Sequence, residues 1–237
     1  MIAILYTLVT SAATVVGGLL PYHPTIRRIE LRYLIAFSSG LMISIVFFEM
    51  LPELNWRGAT TNVVALALGF FVVYVLEKMV MIHACGEEEC DEHIHSLGWP
   101  AMIGVGIESL IDGAAIVASY SVAPGLGLAV AAAVFAHELP RGFATTVVMK
   151  NAGYGRRGVA VALAIDAGFA PLGALAASFL GTPGILPNLL AFAAGTFLYI
   201  GAGDLLPEAH KKFNTRVVAM VVAGALIVPL AESVLGV

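Results

Sequence analysis

Charge is scarce in this chain. Asp, Glu, Lys and Arg make up 12% of its 237 residues, against about 25% in an ordinary soluble domain. A fold facing water on all sides could not hide the apolar surface of the 59% that are hydrophobic, because its exterior must still present polar groups. Cysteine is nearly absent. The only two, Cys85 and Cys90, share one hydrophilic loop, so no disulfide framework is implied. The formal net charge is -4 and the basic residues are scattered in short clusters, which argues against a nucleic-acid partner. The first residues also lack the basic start of a secretory signal. Their apolar run is the length of a full span, so residues 2–20 are expected to form the first membrane helix.

What is present is a series of long apolar blocks with short polar punctuation. They fall at about 2–20, 33–53, 62–82, 99–120, 125–149, 157–180, 186–206 and 217–235, each long enough to cross about 30 Å of hydrocarbon. In lipid the backbone must bond to itself, and segments this long without alternation are helices. The expected fold is therefore all-α: a polytopic membrane protein of eight transmembrane helices, forming one domain over 1–237. Glycine, alanine and serine are dense within the blocks, which favours close helix approach.

Nine of the twelve Lys and Arg lie in odd-numbered loops: Arg27, Arg28 and Arg32, then Lys150, Arg156 and Arg157, then Lys211, Lys212 and Arg216. Positive loops stay cytoplasmic, so both termini are expected outside.

Residues 36–53 read AFSSGLMISIVFFEMLPE and residues 191–208 read AFAAGTFLYIGAGDLLPE. Both open on Ala-Phe, carry glycine fifth and close on acid-x-Leu-Pro-Glu. The loop charges send the second and seventh spans in opposite directions. An inverted repeat of helices 1–3 on helices 6–8 is expected, with helices 4 and 5 left at the centre, where a site near the midplane should lie.

Those two central spans carry the ionisable residues. Glu108 and Asp112 sit one turn apart on the fourth span, and His137, Glu138 and Arg141 lie on the fifth. Each charge at membrane depth costs at least about 2.5–3.5 kcal/mol, so these groups must face one another or a wet cavity. Carboxylates and an imidazole converging from two helices suit a divalent cation. A cluster in which Arg141 merely fixes helix register and a proton path remain alternatives. Pro140 cannot donate to the carbonyl of Ala136, so a kink and a free backbone oxygen are expected beside His137. Asp166, deep in the sixth span, should face Arg141 or an ion. Glu49 and Glu53, and Asp204, Glu208 and His210, stand near the ends of the second and seventh spans, as lining or as solvated ends. The third loop, 83–98, is acidic and carries Cys85, Cys90, His93 and His95. It reads equally as a zinc-binding segment and as a solvated loop.

The His-Glu-Leu-Pro at 137–140, the Asp112-Gly113 step, AFAAGTFLYI…DLLPEAH in the seventh span, PLGAL at 171–175, and Gly40 to Met42 with Leu-Pro-Glu in the second span together resemble the ZIP metal transporters. The resemblance implies eight helices with both termini outside and a binuclear metal site between helices 4 and 5. It puts Glu108, Asp112 and His137 at the first metal position, with Met42 as a neighbour, and Glu138 at the second. Three positions depart from the pattern. Ser109 stands where the family has Asn, Arg141 where a His or Glu ligand follows the proline, and Ala170 where Glu precedes Pro-Leu-Gly.

One metal rather than two is therefore expected, with Arg141 holding carboxylates in place of a second cation. The harder Glu108 should tilt preference toward Mn²⁺ or Fe²⁺ relative to Zn²⁺. The implied function is uptake of a divalent metal (Zn, Fe, Mn, Co or Cd) as substrate, without a catalytic cofactor. The alternative is a non-transporting membrane metal sensor. A zinc metalloprotease needs His-Glu-x-x-His, and Arg141 fills the fifth position, so no enzyme is expected. The setting implied is a lipid bilayer, the cytoplasmic membrane of a prokaryote, with a homodimer left open.

Overall fold

A computed structural model describes residues 2–23, 31–54, 60–80, 98–182, 184–211 and 214–235. Among them there is no strand. The helices are α1 Ile2–Leu19, α2 Leu31–Ile45, α3 Thr60–Val80, α4 Gly98–Val122, α5 Pro124–Asn151, α6 Arg156–Leu180, α7 Leu186–Leu198, α8 Leu206–His210 and α9 Thr215–Leu235. Among the described residues, six stretches have the length and apolarity to cross a membrane: Ile2–Tyr22, Leu31–Met50, Thr60–Glu77, Met102–Val122, Arg156–Leu180 and Leu186–His210. The apolar part of α9, Thr215–Ala231, is shorter. α5 has 28 residues, and its apolarity is diluted by the histidine, glutamate and arginine it carries. The protein is a helical, multi-pass membrane protein.

Local chemistry sets the helix ends. Pro124 opens α5, where a missing N–H costs nothing. The same helix closes on Gly153, whose φ of 83° is a left-handed conformation that glycine adopts without strain. Its N–H bonds to Lys150 O and that of Tyr154 to Met149 O, each at 3.0 Å, satisfying the last carbonyls. α2 and α7 both widen into π-helical turns, Val46–Met50 and Tyr199–Leu205, immediately before their Leu-Pro-Glu sequences.

Four helix pairs form the main contacts: α1 with α5, α4 with α6, α2 with α9, and α3 with α7. Each is closed by two glycines, one per helix, that admit the partner's backbone. A Cβ on Gly17 would lie 2.1 Å from Leu139 O, and one on Gly142 2.0 Å from Thr14 O. Gly113 and Gly173 meet Ala170 O and Leu110 O at 1.8 and 1.9 Å. Gly40 and Gly224 meet Val221 O and Phe37 O at 2.0 and 2.2 Å, and Gly69 and Gly195 meet Phe192 O and Leu66 O at 2.0 and 1.9 Å. Such approaches give dispersion contact that lipid cannot replace. α4 is the interior helix, with 72% of its membrane-length window buried, against 17% for α3. The middle of the bundle is therefore α4 and α5, which also pack on each other.

Prolines inside helices leave carbonyls without their usual donor. The serines of α2 supply replacements. Ser38 Oγ donates to Ala136 O at 2.7 Å, below Pro140, and Ser44 Oγ donates to Ala225 O at 2.7 Å, below Pro229. Ser39 Oγ reaches Gly201 O in the π-helical turn at 2.9 Å. The backbone oxygen expected to be free beside His137 is thus taken, because a neighbouring helix carries a hydroxyl at that height. Ser38→Ala should lower stability by about 1–3 kcal/mol, the cost of a buried acceptor left unmet. Ser178→Ala should be nearly neutral, since that hydroxyl bonds only to Ala174 O one turn back in its own helix. Comparing the two melting temperatures in detergent checks this, and equal shifts would refute it.

Candidate metal site

The crossing of α4 and α5 brings Glu108, Asp112 and His137 together. One ligand atom from each lies within 4.8 Å of the others. Their i, i+4 spacing keeps both α4 carboxylates on one face, and His137 meets them from α5. Asp112 is completely buried and His137 is 2% exposed. His137 Nε2 lies 3.3 Å from Asp112 Oδ2, while Nδ1 is 3.1 Å from Ala133 O. A carbonyl can only accept, so that contact puts a proton on Nδ1, and Nε2 is the ring nitrogen turned toward the carboxylates. The ring of Phe197 packs edge-on against the imidazole at 6.3 Å and holds its orientation.

Arg141 lies at the heart of this group. Its Nη1 is 2.9 Å from Asp112 Oδ2, 3.3 Å from Glu108 Oε1 and 3.4 Å from His137 Nε2. Its Nη2 donates to Ser109 Oγ at 2.6 Å and to Glu138 Oε1, and lies 3.8 Å from Asp166 Oδ1. The resemblance places Arg141 where a second-position ligand would be, and the guanidinium also reaches the carboxylates and imidazole expected at the first. Its fixed fork holds two nitrogens far enough apart to do so. Glu108, Asp112, Glu138 and Asp166 all lie within ion-pairing distance of this one cation. With every acid ionised, four carboxylates outnumber one guanidinium by three charges.

Further hydroxyls complete the cluster. Ser109 Oγ donates to Asp166 Oδ1 at 2.7 Å, Thr145 Oγ1 to Asp166 Oδ2 at 3.2 Å, and Thr14 Oγ1 to Glu138 Oε2. Asp112 Oδ1 is buried with no hydrogen-bond partner among the described residues. Thr14 and Thr145 escape sequence analysis, since threonine is ordinary in membrane helices and nothing local marks the height at which helices cross. Asp166 meets its expected partner. It also supplies a carboxylate from α6 one turn before Ala170, which carries none.

Other expected residues fall elsewhere. Met42 is fully buried, in the same apolar cluster as Phe197. Glu208 pairs with Lys211 at 2.9 Å near the end of α8, as a solvated helix end does. His210 Nδ1 lies 2.9 Å from Leu206 O, and Glu53 is exposed. Glu77 accepts a hydrogen bond from Tyr199 of the π-helical turn. Cys85, Cys90, His93 and His95 lie outside the described residues, and the loop expected over 83–98 gives way to α4 at Gly98.

Fold and site define a class: a helical membrane protein with a buried centre of carboxylates, imidazole and guanidinium. The model of the ZIP zinc transporter family matches residues 82–231, more than half of the sequence. The chain belongs to that family. It is 32% identical over 124 residues to zinc transporter ZIP6 of Homo sapiens, covering 52% of this chain and 16% of the relative. Zinc transporter ZIP10 of Danio rerio is 32% identical over 124 residues, 52% of this chain and 15% of that protein. Metal cation symporter ZIP8 of Rattus norvegicus is 30% identical over 125 residues, 52% of this chain and 27% of that protein. The matched stretch thus spans only a minor part of each relative.

Proposed function

We propose that this chain carries divalent transition-metal ions into the cytoplasm through a midplane site between α4 and α5. The observation that carries the reading is the meeting of Glu108, Asp112 and His137 inside the bundle, their ligand atoms within 4.8 Å of one another. The convergence of four carboxylates on one buried place supports it, because buried carboxylates pair with cations or coordinate metals. Zn²⁺, Fe²⁺, Mn²⁺, Co²⁺ and Cd²⁺ are the candidate substrates, with Glu108 favouring the harder ions. One metal binds rather than two. Met42 is a neighbour of the site, and Ser109, Glu138 and Asp166 tune it.

The architecture in this proposal has eight spans, with α7, its π-helical turn and α8 as the seventh and α9 as the eighth. It is an inverted repeat. The main packing is unchanged when α1 is exchanged with α6, α2 with α7, α3 with α9 and α4 with α5. The glycine pairs follow the same exchange, and the two π-helical turns stand at matching places. Rocking of one half on the other then opens the site to each side in turn. Both termini face outward, the third loop is the cytoplasmic acceptor, and the membrane is the cytoplasmic one of a prokaryote. A homodimer is compatible with all of this.

Radiometal uptake into proteoliposomes tests the proposal. Purified protein should give saturable flux of at least one of the five ions. Binding without flux would favour the second reading, a non-transporting metal sensor, which draws its support from the position of Arg141.

A further inference from the structure

We infer that Arg141 is a tethered competitor for the transported ion, occupying the metal's own position until the ion displaces it. This rests on the metal-transport reading, and it goes further by putting the guanidinium at the first position as well as the second. Nη1 stands 2.9, 3.3 and 3.4 Å from the Asp112, Glu108 and His137 ligand atoms. A divalent ion bound by those same atoms lies about 2.0–2.2 Å from each. Nη1 already faces all three atoms, so an ion drawn in among them would crowd it, and the two cations cannot share the group.

Binding therefore requires Nη1 to leave. The other end of the guanidinium has its own anchors in Ser109 Oγ, Glu138 and Asp166. These let Nη2 stay in the second position while Nη1 turns out of the first. The Arg141 side chain is 9% exposed and that of Glu108 19%, against 1% for Asp112, so the way out lies on the Glu108 side. The consequence is a weakened but exchangeable site. Apparent affinity falls by the fraction of molecules in which Nη1 is out, and the returning guanidinium helps expel the ion after the bundle rocks.

The test is cadmium binding to detergent-purified protein by equilibrium dialysis, for wild type, Arg141→Lys and Arg141→Ala. Arg141→Ala should bind about tenfold or more tightly than wild type. Arg141→Lys should fall between, since an ammonium fills one position. Guanidinium chloride at tens of millimolar should then compete with cadmium in Arg141→Ala by refilling the space, whereas sodium chloride at equal ionic strength should not. Wild type should respond alike to both salts. Cadmium should also raise the melting temperature of Arg141→Ala more than that of wild type, one cation replacing another.

Equal affinity in wild type and Arg141→Ala, or tighter binding without guanidinium competition, would overturn the competitor role while leaving the metal site standing. Folded Arg141→Ala that binds no divalent ion would overturn the site reading itself. If Arg141→Ala does not fold without metal, the lysine variant decides, and affinity no better than wild type refutes the inference.

Discussion

Asp112→Asn should cut radiometal uptake at least tenfold while leaving the bundle folded. Asp112 stands at the centre of the group: Oδ2 accepts from Arg141 and faces His137 Nε2, and Oδ1 has no hydrogen-bond partner among the described residues. The amide keeps the shape and one acceptor, so packing around α4 survives. It removes the charge, and a charged hydrogen bond contributes about 1.5–3 kcal/mol. Loss of that much from a bound divalent ion corresponds to about ten- to hundredfold in affinity. Asp112→Ala should be more severe, because it strips Arg141 of a buried partner at about 3–5 kcal/mol and threatens the fold as well. Initial uptake rates, normalised to protein that elutes as one species, separate the two effects. Wild-type flux from folded Asp112→Asn would remove this residue from the pathway.

The second large effect is in packing, and one helix supplies both arms of the comparison. On α6, a Cβ on Gly173 would lie only 1.9 Å from Leu110 O, while a Cβ on Gly168 meets nothing within 4 Å. Gly173→Ala must push α6 off α4, and overpacking of this kind costs about 3 kcal/mol or more. Since Asp112 and Asp166 ride on those helices, uptake should fall with stability. Gly168→Ala should raise stability by up to about 1 kcal/mol, as alanine suits a helix interior better than glycine. Melting temperatures in detergent should move in opposite directions. If both fall together, the reciprocal glycines are not what holds α4 to α6.

The competitor role of Arg141 and these two predictions concern different links. Asp112 tests which atoms hold the ion. Gly173 tests what keeps the two donor helices at the right distance. The proposed inverted repeat would connect them, as the Gly113–Gly173 contact between α4 and α6 has its counterpart in Gly17–Gly142 between α1 and α5. The ionisable face of α4 and that of α5 are thus set against one another by equivalent packing on opposite flanks.

Much of this was legible in the letters. Apolar blocks at 62–82, 99–120, 125–149 and 157–180 fall within two residues of α3, α4, α5 and α6 at either end. Span length is dictated by bilayer thickness, and backbone hydrogen bonding admits no other structure there. The recurrence of residues 36–53 in 191–208 was visible because both copies keep glycine and Leu-Pro-Glu at the same offsets. The ionisable cluster was visible because charge is costly in hydrocarbon and so stands out.

What the sequence by itself determined, then, is the helical, multi-pass character of the chain, where its long apolar helices start and stop, and which residues cannot face lipid. Tertiary structure alone decided how those residues meet. It gave the Ala136 carbonyl that Pro140 leaves unmet to Ser38, placed Thr14 and Thr145 on the acids, and set Arg141 between Asp112 and Ser109. The reason is geometric. Burial and periodicity act along one helix and leave their mark in its residues, whereas a contact between helices depends on rotation about each axis and on the height of crossing. Small residues spread over several distant segments set those quantities jointly.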